Sequence, residues 1–344
     1  VISKAREKNT MLRKIFKIAL FVGAVAPLLL SAWFSFEFYL PHRTSPQEIF
    51  FFVEPGKSVQ NIAQNLKEKG IIKKRWPFLF GYKFFFFSKS LKAGEYVFHL
   101  PLSTKNILNL LTEGKVHLYS LTIPEGLTRK EIASHLESLH FVDKEDFLEA
   151  SSRTKIISSL DLGASNLEGY LFPETYHFPK GISSTKIVST IVSQFKSVFT
   201  DTWKKRANEI NMTMREVVIL ASLIEKETSI PEEKKLVSTV FHNRLRIGMK
   251  LDCDPTIIYA LKELGNFKGR LLKKDLKFKS PYNTYRIRGL PPGPICNPGH
   301  DSLEAALYPT KEKYIYFVSK NDGSHIFSRT FKEHQRAVIK YQKR

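Results

Sequence analysis

Cysteine is almost missing from this chain: Cys253 and Cys296 are the only two in 344 residues. Two thiols cannot build a disulfide framework, although one bridge in an oxidising space stays open to them. With no CxxC there is no thioredoxin-type redox motif. Ten histidines are present, but none falls in HExxH or another metal-ligand spacing. A glycine-rich phosphate loop and a GxSxG nucleophile elbow are also lacking. Cys296 has His300 four residues on, but in a Pro/Gly loop that gives a nucleophilic Cys–His pair no local support. Neither a metal nor a cofactor is therefore expected. Acidic charge is scarce as well: 33 Asp and Glu face 54 Lys and Arg, a net charge of +21. Such an excess implies anionic surroundings, whether nucleic acid, a membrane face or an acidic polymer. The basic residues are spread along the chain and not interleaved with aromatics on one module, which argues against nucleic acid as a partner.

Against these shortages stands one long apolar run. Residues 18–36, "IALFVGAVAPLLLSAWFSF", carry no charge. As a helix they cover about 28 Å, close to one hydrocarbon core. Trp33, Phe34, Phe36, Phe38 and Tyr39 sit at the far end, where an aromatic belt belongs. Lys4, Arg6, Lys8, Arg13, Lys14 and Lys17, against Glu7, make the near end basic and predict a cytoplasmic N-terminus. A cleaved signal peptide is the alternative, though no small-x-small cleavage site follows. The reading is a basic tail over 1–17, a transmembrane helix over 18–40, and the rest on the outer side of the cytoplasmic (inner) membrane.

Residues 41–47, "PHRTSPQ", read as a linker. A unit then occurs twice, as "FFVEPGKSVQNIAQNL" (51–66) and "LTIPEGLTRKEIASHL" (121–136). Each has a short apolar strand, a turn, a capping Ser58 or Thr128, and an i,i+4 apolar pair, Ile62/Leu66 or Ile132/Leu136. Between them "AGEYVFHL" predicts a strand and "STKNILNLLTEG" a capped helix ending at Gly114. Small β/α units of this kind resemble glycan-binding LysM modules, and residues 48–150 are assigned to them. The runs "FLFGY" (78–82) and "FFFF" (84–87) suit a buried hairpin or a patch on the bilayer, core burial being the expectation. From about 155 to 344 the texture changes. Helices over 184–199, 213–228 and 232–247 alternate with patterned loops, "EGYLFPETYHFPKG", "DCDPT" and "SPYNTYRIRGLPPGPICNPGHDS", of the sort that carry function. "YIYFVSKNDGSHIFS" predicts a hairpin turning at Asn321-Asp322-Gly323. The tail "FKEHQRAVIKYQKR" predicts an exposed basic helix. The expected fold class is α+β.

One helix holds the candidate chemistry. Thr213 and Glu216 form a capping box. Val217, Leu220, Leu223/Ile224 and then Glu227 fall on one stripe, while Glu225 lies about 200° away beside Ala221 and Ser222. A carboxyl at the end of an apolar stripe has its charged form disfavoured, which suits a general acid near neutral pH. Spacing alone leaves open that both glutamates are the solvated end of an amphipathic helix. Ser229-Ile230-Pro231-Glu232 is expected to cap the next helix.

"LASLIEKET", "FHNRLRIGMKLDCDPTIIYAL", "SPYNTYRIRGLPPGPICNPGHDSLEAALYP" and "YIYFVSKNDGSHIFSRTFKEHQRAV" closely resemble the endolytic murein transglycosylase (YceG-like) family, and "EGYLFPETY" resembles its upstream loop. The resemblance covers roughly 40–344. It implies cleavage of peptidoglycan glycan strands between MurNAc and GlcNAc, leaving 1,6-anhydroMurNAc ends, by a membrane-anchored enzyme with peptidoglycan synthases as expected neighbours. The family's catalytic glutamate precedes a hydroxyl residue; here that is Glu227 before Thr228. Asn243, Asp254, Thr256, Tyr282, Asn283 and Tyr285 match family positions and have sugar-binding groups, and Glu174 and Tyr176 are candidates for the same groove. Capping of a helix is the plainer role for Asp254-Pro255-Thr256. Cys253, Cys296 and His300 depart from the usual pattern and leave open a bridge between two loops of the site. The alternative function is a non-catalytic glycan-binding scaffold for cell-wall synthesis proteins.

Overall fold

The computed structural model describes residues 2–41 and 45–342, so His42, Arg43 and Thr44 of the expected linker lie outside the described residues. The chain is a mixed α+β fold of two compact units, 1–119 and 120–344.

The first unit opens with α1 (Ile2–Tyr39), one unbroken helix that passes through Pro27. The side chains of Lys4, Arg6, Glu7, Lys8 and Arg13, and of Ile18, Ala19 and Val22 within the apolar run, lie outside the described residues. Among the described residues, no helix is long and apolar enough to cross a membrane. Next come β1 (Gln47–Val53), α2 (Val59–Glu68), α3 (Arg75–Phe85), β2 (Gly94–Leu100) and α4 (Thr104–Glu113). β1 and β2 pair antiparallel, with Phe51 opposite Tyr96 and Phe50 opposite Val97. The period-two rule sends Phe51, Val53, Tyr96 and Phe98 inward, against Ile62, Leu66 and Leu108 of the helices. Ser58 and Ser103 cap α2 and α4 as expected, and Gly114 ends α4 at φ 73°. The tip of α1 belongs to this core. Phe38 is fully buried, Glu37 binds Lys74 at 2.5 Å, and the Glu37 carbonyl accepts from Thr104 Oγ1.

The phenylalanine runs differ from expectation. Residues 78–85 form a helix, not a hairpin, which buries Phe78 and leaves Phe80, Phe84 and Phe85 exposed; past its end the C-cap Phe86 is buried and Phe87, in the turn, is exposed.

The second copy of the strand–turn–helix pattern falls in the other unit. β3 (Leu118–Thr122), which crosses the division, leads into α5 (Arg129–Ser138), whose Thr128–Glu131 capping box is complete. Ile132 and Leu136 bury in the cluster that surrounds α9, so this copy groups with the C-terminal domain and not with residues 48–119. α6 (Lys144–Ala150) follows, and then β4 (Thr175–Pro179), a strand inside the expected 168–181 loop that pairs with β3. Then come α7 (Ser184–Val198), α8 (Asp201–Glu209), α9 (Met214–Glu227), α10 (Pro231–Arg246), α11 (Asp254–Glu263) and α12 (His300–Leu307). The hairpin β5 (Tyr316–Ser319) and β6 (His325–Ser328) turns through Asn321 and Gly323, both at positive φ, before α13 (Phe331–Tyr341).

α9 is the axis of this unit. It touches α8, α10, α11 and α12, and every residue from Val217 to Ile224 is buried. The apolar stripe is therefore not one face of a half-solvated helix: Ala221 and Ser222 are as buried as Leu220. Ser222 manages this because its hydroxyl donates to Ile219 O and accepts from Ile295 N.

Candidate active site

α9 stops at Glu227 because Thr228 turns extended, at φ −144° and ψ 137°, while its N–H still reaches Ile224 O. The Thr228 hydroxyl accepts from Ile230 N at 3.1 Å and donates to Glu233 Oε2 at 3.2 Å. α10 then starts with Pro231 in its first turn and Ile230 as N-cap without a side-chain bond, so the side-chain cap expected from the Ser229 segment is not formed, and Thr228 braces only the turn before the helix.

The two glutamates differ by partner. Glu225 is nearly buried, faces Lys234 Nζ at 3.3 Å and accepts from Gly299 N at 3.0 Å. Lys234, itself buried, also approaches Glu125 at 3.6 Å. Glu225 is thus committed to tying α9 to α10 and to the start of α12. Glu227 is part-buried and has no ion-pair partner within salt-bridge distance among the described residues. Burial pushes its carboxyl up to about 7, helped by Asp254; the Cys253 thiol and, at longer range, Arg244 draw it partly back. The negative end of the α9 dipole acts in the same upward direction.

Glu227 lines a cavity of about 530 Å³ together with Arg244, Asp252, Asp254, Tyr285 and residues of the C-terminal hairpin and α13. Arg244 is held rigidly, its Nε donating to Ile315 O and its Nη1 to Leu251 O, over the Tyr316 ring at 5.7 Å. Asp252, in the left-handed region at φ 48°, faces Arg244 at 3.7 Å. Asp254 Oδ1 accepts from the Tyr285 hydroxyl at 2.7 Å. Burial first, then Asp254, keeps that phenol protonated and a donor. Tyr316 stacks on His334 at 5.0 Å, and Phe317 and Phe331 extend the aromatic wall. The Nδ1 of His334 is buried with no hydrogen-bond partner among the described residues. A carboxyl whose acid form persists to near neutral pH, a fixed guanidinium and an aromatic wall suit acid chemistry on a ring-shaped polar substrate.

The other expected site residues lie elsewhere. Glu174 is exposed beside β4, and the buried Tyr176 donates to Phe172 O. Asn243 anchors Glu312 and Tyr314 carbonyls through Nδ2. Thr256 is fully buried at the start of α11, its hydroxyl donating to Cys253 O and meeting Thr284 Oγ1; no side chain caps the helix, so the capping role expected of Asp254-Pro255-Thr256 is not what this segment does. Tyr282 packs on Tyr259 at 5.1 Å. Asn283 is fully buried; its Nδ2 holds Leu276 and Phe278 carbonyls and its Oδ1 the Tyr285 N–H, so it shapes the loop that carries Tyr285. The sequence reading gave no site role to Arg244, Asp252, Tyr316, His325 or His334. Arg244 adjoins Asn243 and Asp252 opens "DCDPT", but the hairpin and tail show only strand and helix patterns. The tail helix is not merely exposed, since Phe331 and His334 face the cavity. Both thiols are free and buried, with no bridge between the loops: Cys253 serves Glu227, and Cys296 donates to Ser222 O.

Three rival locations carry less. Glu168 is raised to about 8 by burial, yet both oxygens are clasped by Arg129 N–H and one also by Asn297 Nδ2, and it does not line the cavity. A larger groove of about 1110 Å³ holds Asn243, Arg215, Lys311 and Lys313, but its Glu216 is spent in the α9 capping box. Glu137, Asp143 and Glu145 gather their carboxylates at the exposed start of α6, where Asp143 caps the helix.

A family model described as the YceG-like family matches residues 51–340. A Bacillus subtilis (strain 168) protein named "Endolytic murein transglycosylase" is 34% identical over 305 residues, covering 84% of this chain and 83% of its own. A protein of the same name from Streptococcus pneumoniae (strain ATCC BAA-255 / R6) is 29% identical over 365 residues, covering 95% of this chain and 65% of its own. The crystal structure of a yceG-like protein from Listeria monocytogenes superposes with a TM-score of 0.57 at 33% identity, over 85% of this chain and 99% of that one.

Proposed function

The chain belongs to the YceG-like family, and on that premise we propose that it is a membrane-anchored endolytic murein transglycosylase with Glu227 as its acid and base. The observation that carries the reading is Glu227 itself, a carboxyl without an ion-pair partner among the described residues, raised to about 7 in a cavity of sugar size. Near neutral pH it is available in its protonated form and donates to the glycosidic oxygen as the bond to C1 of MurNAc breaks. The acetamido group of that sugar steadies the oxocarbenium-like centre. The C6 hydroxyl then attacks C1 and gives its proton to the Glu227 carboxylate, which restores the acid. One carboxyl serves twice, whereas a hydrolase needs a second group for water. Asp254 and Asp252 do not fill that role: one accepts from Tyr285 and the other faces Arg244.

Attachment to the membrane is supported by the uncharged run 18–36 and the continuous helix that contains it. It is also supported by the exposed Phe80, Phe84, Phe85 and Phe87 of the α3 region, in the same unit as the exposed Trp33 and Phe36. The order β1–α2–α3–β2 with an antiparallel pair supports a LysM-like module that holds glycan. The substrate is then a strand beside its synthases on the outer face.

Purified glycan strands incubated with the detergent-solubilised chain test the proposal by mass analysis. Ends lighter by one water than hydrolytic ends are expected. Reducing ends would refute transglycosylation, and strands bound but uncut would favour the scaffold. Release of the chain by carbonate extraction of membranes would refute the anchor.

A further inference from the structure

His325 is a polar group of the cavity wall that the mechanism above leaves unused. It comes from β6, far in sequence from Glu227, yet it is tied to the residue that follows Glu227. Glu233 Oε2 meets His325 Nδ1 at 2.7 Å and accepts from Thr228 Oγ1 at 3.2 Å, while Glu233 Oε1 accepts the His325 backbone N–H at 2.8 Å. Glu233 lies in the first turn of α10 and is itself buried. A carboxylate is an acceptor only, so Nδ1 must carry the proton. The Phe317 ring meets the imidazole edge-on at 5.4 Å and fixes its plane. Nε2 has no hydrogen-bond partner among the described residues, and the ring borders the cavity.

We propose that His325 is a substrate-positioning residue. Glu233 holds its Nδ1–H tautomer, so Nε2 presents a lone pair to a hydroxyl of the muramyl sugar and orients it relative to Glu227. The inference rests on the transglycosylase reading. A neutral acceptor is the useful form here, because a sugar offers many O–H donors and the proton accounting between Glu227 and the C6 hydroxyl already closes. Orienting a hydroxyl contributes through position and consumes no proton.

Two near-isosteric variants separate positioning from scaffolding. His325→Asn keeps a donor at the Nδ1 position for Glu233 and removes the cavity-facing atom. His325→Gln puts a polar atom at the Nε2 position and loses the tie to Glu233. The proposal expects kcat/KM on glycan strands to fall about ten-fold or more in His325→Asn, the scale of one lost hydrogen bond. His325→Gln should retain activity within a few-fold despite a lower melting temperature. Activity near wild type in His325→Asn would overturn the assignment, whatever His325→Gln does. Nitrogen-15 NMR of the full chain in detergent gives a second readout: Nδ1 protonated and Nε2 bare is expected, and a proton on Nε2 would overturn it. Wild-type protein on the same strands keeps the two readings apart. Failure of wild type to cut them refutes the transglycosylase reading, and an active wild type with an equally active His325→Asn refutes only the role of His325.

Discussion

Replacing Glu227 by Gln should make the protein inactive and, above neutral pH, more stable. A carboxyl held near 7 when folded, against its ordinary 4.5, binds a proton more readily in the folded state. Between those values the folded protein keeps a proton that the unfolded chain has released. Stability therefore falls as pH rises through that window. Above pH 7 the full difference, about 3 kcal/mol, is lost, and below about pH 4.5 nothing is. Gln is neutral throughout and near in shape, so Glu227→Gln removes the loss. For a unit of this size the melting temperature should rise by roughly 6–12 °C at pH 8 and hardly change at about pH 4.5. The same variant should lose about 10²–10⁴-fold in strand cleavage, at or beyond the upper end because one group performs both transfers. The assays are melts across pH and mass analysis of saccharides from treated strands. A melting difference that stays constant with pH would refute the raised carboxyl. A folded Glu227→Gln protein that cuts strands at near wild-type rate would refute the acid.

The wild-type kcat/KM should decline as pH rises above about 7, because the acid form of Glu227 is then depleted; a rate flat to about pH 9 would contradict it. Glu225→Gln strips buried Lys234 of its nearer carboxylate and should cost about 3–5 kcal/mol of stability, read as a lower denaturant midpoint, while surviving folded protein still cleaves. Deleting residues 1–40 removes Phe38 from the first unit's core and should destabilise that unit by about 3 kcal/mol or more, whereas deleting 1–31 spares it; equal melts of the two truncations would contradict this packing. Cys253 and Cys296 should both resist alkylation until the protein is denatured, and reductant should leave activity unchanged; a non-reduced mass lower by two hydrogens would contradict the free thiols.

Local patterns in the sequence were decisive where the physics is local. The caps Ser58, Ser103, Thr128 and Thr213 answer to hydrogen bonds three residues long, and each lies where the sequence put it. The Asn321-Asp322-Gly323 turn is legible for the same reason. The choice of Glu227 over Glu225 was reached by an apolar stripe, but α9 is buried all round, so the stripe does not separate the two. Lys234, brought up from the neighbouring helix, separates them by pairing with Glu225, whereas Glu227 has no ion pair among the described residues and feels only the more distant Arg244. Periodicity reports which face of a helix is apolar; it does not report which charge the next helix will supply. The phenylalanine run shows the same limit, since composition signals burial and only the packing of α3 decides that Phe80 and Phe84 face outward. The cavity wall is the largest feature that sequence left hidden. Arg244, Tyr316, His325 and His334 come from four elements, α10, β5, β6 and α13, and their meeting around Glu227 depends on how the hairpin and α13 fold back onto α10. A short-range pattern carries no record of such a closure; it exists only once the tertiary contacts have formed.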